Sequence, residues 1–73
     1  MKRVFVFQDF KSQKFWSIEV VGTDVTVNYG KLGTDGQTQV KNYATTEDAE
    51  KAANKLIAEK TKKGYVETAE ETA

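Results

Sequence analysis

The sequence predicts a two-layer α+β domain, an antiparallel four-stranded meander sheet with one helix packed on one face. Three observations carry that prediction. Four successive runs are rich in β-formers, and two of them alternate apolar and polar residues with period two. Short Gly/Asp turns join them, including the Asp35-Gly36 pair that is a strong hairpin signal. After Thr45 the apolar period changes from two to the helical 3.6. With 73 residues the chain has room for one small core and no second domain.

Each element follows from its own stretch. Arg3–Asp9 (RVFVFQD) is almost continuously apolar, which suits a strand covered on both faces or a central one. In Lys14–Val21, Trp16, Ile18 and Val20 share one face and Ser17 and Glu19 the other. Gly22, Thr23 and Asp24 make a tight turn into Asp24–Lys31, where Val25, Val27 and Tyr29 share a face with Lys31. Gln37–Tyr43 is the most polar run, as an edge strand would be. Thr45 and Thr46 offer an N-cap hydroxyl, and Glu47 and Asp48 suit the positive end of the helix dipole. Ala49, Ala52, Ala53, Leu56 and Ile57 then form one stripe, with Lys60 at its end, and Gly64 ends the helix. Tyr65 and Val66 either pack back on the core or add a short fifth strand at an edge. The domain is therefore expected over residues 1–66, with residues 67–73 an acidic, flexible tail.

Composition excludes several functions. Eleven basic residues balance eleven acidic ones, so a nucleic-acid role needs a local basic patch rather than overall charge. The chain has no Cys and no His. That removes disulfides, thiolate metal sites and every histidine-based nucleophile arrangement. The acidic residues fall at turns or in the first helical turn, which caps and solubility explain, so no enzyme activity and no cofactor is expected. The amino-terminal apolar run is too short for a signal sequence or a membrane span, and the cytoplasm is the default compartment.

The stretch Asn28–Gln37 (NYGKLGTDGQ) spaces glycines at 30, 33 and 36. A phosphate-cradling loop needs its glycines between a strand and a helix, whereas these lie between two strands. A hairpin turn explains Gly36 well and Gly33 in part. Gly30 sits inside a strand, where glycine marks a bulge or the close approach of another backbone or a ligand. Tyr29 is either a core side chain, the commoner reading, or a platform for a base or sugar with Lys31 pairing a phosphate. Lys41 is either a nearby phosphate contact or an ordinary surface charge. Lys60, Lys62 and Lys63 read as a solvated helix end that complements the dipole.

In order and spacing these residues resemble the WGR domain family. The Trp-Gly-Arg signature corresponds to Tyr29-Gly30-Lys31, followed by Leu32, Gly33 and Thr34 and continuing to Gly36-Gln37. Lys14–Val20 is similar to the family's second strand, and Lys41-Asn42-Tyr43, Glu47–Ala49 and Glu59–Tyr65 match its later pattern. The resemblance extends over about residues 3–66. It implies an antiparallel sheet with one helix, and a binding module without catalytic activity of its own. In poly(ADP-ribose) polymerases such a domain binds DNA at a break and relays contact to neighbouring domains. In bacteria it occurs alone or fused to other modules, and this sequence reads as the stand-alone bacterial form. The implied contacts are Tyr29, Gly30 and Lys31, with Lys41 nearby, and the implied partner is DNA at an end or nick. Docking to another protein through the same strand end is the alternative. Tyr29 keeps a stacking ring of smaller area than Trp, and Lys31 keeps the charge without the planar fork of Arg.

Overall fold

Strand-forming runs and a helical stripe can bury their apolar sides only against one another, and they do so in two layers. The computed structural model describes residues 2–71, with the side chains of residues 2–68. Its elements are β1 (Lys2–Gln8), β2 (Gln13–Val21), β3 (Asp24–Lys31), β4 (Gln37–Asn42), α1 (Thr46–Lys62) and β5 (Val66–Glu71). The sheet order is β4-β3-β2-β1-β5, and every neighbouring pair is antiparallel. Strands β1 to β4 are the predicted meander. The helix then carries the chain from the β4 edge back across one face to the β1 side.

Registers put the predicted apolar sets together. Phe5 lies opposite Trp16, and Trp16 opposite Tyr29. The Phe5 and Trp16 rings are 5.6 Å apart and tilted, a favourable aromatic arrangement. Phe5, Trp16, Ile18, Val25, Ala49 and Ala53 form the buried core, and Leu56, Ile57 and Tyr65 pack against it. Ala49 and Ala53 are the buried residues of the helix, so their lack of bulk lets its backbone lie close to the strands. Ser17, on the opposite face, is also buried, flanked in register by Val4 and Asn28, and its hydroxyl donates to the Asn28 carbonyl at 3.3 Å.

The helix begins as its sequence dictates. Thr45 is the N-cap in extended conformation, and its hydroxyl oxygen accepts from the Asp48 N–H at 3.1 Å. At the other end Lys63 is the C-cap, and Tyr65 N–H donates to the Lys60 carbonyl, which turns the chain back towards the sheet.

The carboxy-terminal segment differs from expectation. Val66–Glu71 is paired with β1 as a full edge strand, where a short strand and an acidic tail were expected. The reason lies in β1, whose outer edge offers backbone donors and acceptors that water would otherwise have to satisfy. Arg3 of β1 also grips Glu67 through two hydrogen bonds of 2.6 and 2.8 Å. The remainder of the predicted tail, residues 72 and 73, lies outside the described residues. No helix among the described residues is long and apolar enough to cross a membrane.

Candidate nucleic-acid interface

The β1–β2 turn, the β3–β4 loop and the carboxy-terminal end of α1 meet at one end of the sheet. The β3–β4 loop is folded back rather than extended. Asn28 uses its side-chain amide to donate to the Asp35 carbonyl (3.1 Å), the Gln37 carbonyl (3.2 Å) and the Thr38 hydroxyl (3.1 Å). Thr34 is tied to the Lys31 carbonyl through both its N–H and its hydroxyl, and Leu32 N–H donates to the Gln13 carbonyl. The folded loop brings Gly36 onto β3 at Gly30. A Cβ on Gly30 would lie 2.7 Å from the Gly36 Cα, so no side chain fits there. The close approach expected at Gly30 is therefore met by the chain's own backbone. The loop explains Gly30 together with Gly33 and Gly36, without any ligand.

The adjacent residues have a different role. Tyr29 lies on the helix side of the sheet, half-buried against the core, and its hydroxyl donates to the Gln37 side chain at 3.2 Å. The core reading of Tyr29 thus describes most of its ring, while its remaining surface lines a groove of about 360 Å³. Lys31 is exposed on the same side and also lines that groove. Directly across from it in register is Lys14. Like charges opposite one another cost stability in a sheet, so this pairing works against the fold. Lys60 reaches the groove from the last turn of the helix, and Lys11 and Tyr65 complete its rim.

Lys60 shows how the cations are held. Its amine lies 5.8 Å from the Trp16 ring centroid and 5.5 Å from that of Tyr65, positions from which ring quadrupoles attract a cation. Burial nevertheless pushes its pKa below the ordinary lysine value, with Lys63 and then Lys14 adding repulsion and Glu59 opposing them. The two effects oppose each other. The rings stand near the outer limit of the attraction, so partial desolvation and like charge prevail. Lys63 lines the adjoining hollow beside Lys14 and Lys60. Among the described residues the ion pair is Arg3–Glu67 on the β1–β5 edge, and Lys14, Lys31, Lys60 and Lys63 have no carboxylate within ion-pair distance.

The structure brings Tyr29, Gly30 and Lys31 together and leaves Lys41 apart. Lys41 pairs in register with Val25, six residues back along β3 from Lys31, a separation of about 20 Å at the usual strand rise. Its amine lies over the Tyr43 ring, 5.4 Å from the centroid. Lys14 and Lys60 take the place expected of Lys41.

The chain is a five-stranded antiparallel sheet crossed by one helix, with Tyr29-Gly30-Lys31 closing the third strand, as the resemblance to WGR domains implies. Residues 1–72 match the WGR domain model, and the chain belongs to that family, whose members are binding domains that often bind nucleic acid. The chain is 48% identical over 71 residues to Protein YehF of Escherichia coli, covering 97% of this chain and 26% of that one. It is 49% identical over 67 residues to the uncharacterized protein YfeS of the same organism, covering 92% and 28%. A crystal structure of a Bacteroides fragilis protein superposes with a TM-score of 0.92 at 84% identity, over 94% of this chain and 20% of that one. The chain thus spans about a quarter of the length of the curated relatives it matches.

Proposed function

We propose that this domain is a non-catalytic module that binds nucleic acid at DNA ends or nicks through the lysine-lined groove beside Tyr29. The carrying observation is the grouping of Lys14, Lys31 and Lys60 around partly exposed ring surface with no carboxylate within ion-pair distance among the described residues. Ammonium groups placed this way neutralise backbone phosphates and release their counterions. The free surfaces of Tyr29 and Tyr65 supply contact for a sugar or base. Gly30 serves indirectly, by letting the loop pack down and hold Tyr29 and Lys31 at the strand end.

Titration of labelled nicked, blunt and single-stranded DNA at low salt tests the proposal. Lys31→Ala and Lys14→Ala should each weaken binding several-fold, whereas Lys41→Ala should leave it unchanged. No binding at high micromolar protein, or a Lys31→Ala variant equal to the parent, rejects it. The second reading, docking of a protein or a neighbouring domain at the same sheet end, draws support from the zero net charge and the greater length of the relatives. A co-purifying protein lost on Tyr29→Ala, without DNA affinity, would favour it.

A further inference from the structure

Phe10 sits at the tip of the β1–β2 turn, and nothing in the fold uses it. Its side chain is fully exposed, and it is the one exposed aromatic among the described residues. Isolated exposed apolar residues are common and need no explanation by themselves. Three further observations distinguish this one. First, the turn beneath it is locked. The Asp9 carboxylate accepts from the N–H groups of Lys11 (2.8 Å) and Ser12 (2.6 Å), and Asp9 N–H donates to the Ser12 carbonyl (2.9 Å). The ring is thus presented by a backbone that needs little further ordering on binding. Second, the side chains around it are polar ones, and Phe10 is the one apolar residue lining the hollow it shares with them. The hollow at its base is lined by Gln8, Asp9 and Gln13, which lacks the apolar surround of a protein-docking hot spot. Third, that hollow and the lysine groove share Gln13, and the next residue along the turn, Lys11, lines the groove itself.

We infer that Phe10 is a base-stacking residue, which takes the face of an unpaired base on a strand whose phosphates lie along Lys11, Lys14 and Lys31. The inference rests on the nucleic-acid reading of the groove and adds to it the form of the ligand, a strand with at least one base free of its stack. A ring flanked by cations is the combination by which single strands are held without sequence preference, because every base has a π-face. The locked turn fixes the backbone from which the ring projects, and the lysines supply the charge complementarity that selects nucleic acid as its partner.

Phe10→Ala and Phe10→Trp, compared with the parent and with Lys31→Ala, test this on a labelled single-stranded oligonucleotide and on a closed circular duplex without free bases. Phe10→Ala should bind the single strand about 5- to 150-fold more weakly, the range for losing one stacked base. The slope of affinity against salt should stay unchanged, because no charge is removed, whereas Lys31→Ala should lower it by about one. Phe10→Trp should restore affinity, and Phe10→Ala should match the parent on the closed circle. Both Phe10 variants should melt with the parent, since the ring is fully exposed. If Lys31→Ala weakens binding while Phe10→Ala does not, the stacking role is wrong and the groove reading stands. If the parent binds neither of these nor a nicked or blunt duplex in a salt-dependent way, both are wrong.

Discussion

At the scale of single residues, the contact between Gly30 and Gly36 decides what the signature triplet is for. Gly36 adopts φ +69°, and a Cβ there would also meet the Tyr29 carbonyl oxygen and lie 2.7 Å from Phe15. Gly33 has a comparable φ of +88°, yet a Cβ on it would meet nothing within 4 Å. Left-handed backbone alone costs an alanine about 1–2 kcal/mol. Gly33→Ala should therefore lose about that much, and Gly36→Ala distinctly more, because strain and a backbone clash combine. Gly30→Ala, with no positive φ, should fall between them by displacing the loop. Urea denaturation of the three variants orders them. Equal losses for Gly36→Ala and Gly33→Ala would show that the loop does not rest on the strand. The middle letter of the triplet is thus fixed by folding, and in the proposed function the flanking Tyr29 and Lys31 supply the contacts.

At the scale of elements, β5 is the part of the fold most dependent on its surroundings. Removing residues 66–73 would strip β1 of a partner along Lys2–Val6 and remove the Arg3–Glu67 pair. Each lost ladder hydrogen bond is worth about 1 kcal/mol net, so the truncated chain should lose several kcal/mol, and its apolar β1 edge should associate. The urea midpoint and light scattering of the truncated chain measure both, and an unchanged midpoint would mean that β5 contributes nothing. The same dependence explains what the sequence conveys about the fold. Strands β1 to β4 are legible because alternation and turn chemistry are local, and α1 is legible because Thr45, the alanine stripe and Gly64 lie within twenty residues. The stretch Val66–Glu71 (VETAEE) has no apolar alternation. It becomes a strand only because β1 offers an edge from the far end of the sequence, a tertiary effect that propensity does not record.

At the scale of the whole molecule, a chain of zero net charge concentrates cations at one end of its sheet. Long-range attraction is then weak, and the proposed binding to DNA would depend on a few close contacts. With four lysines engaged on duplex DNA, affinity should fall roughly 100-fold between 50 and 200 mM salt. Anisotropy titrations across that range check it, and a flat response would mean that the lysines do not meet phosphate. Part of the position of this lysine cluster follows from local sequence. A two-residue turn at Gly22 and Thr23 fixes the β2–β3 register and so places Lys14 opposite Lys31. Lys60 was not legible, because its place depends on the direction in which α1 crosses the sheet. Lys41 is close to the loop in sequence but lies opposite Val25, so a length of strand separates it from Lys31. The register also has a bearing on larger architectures. Lys2 and Glu71 face each other across β1 and β5 at the end of the sheet remote from the β1–β2 turn. Entry and exit points therefore sit side by side, behind the lysine groove. Both ends of the described chain therefore lie away from the proposed contact surface, which leaves that surface unobstructed by them.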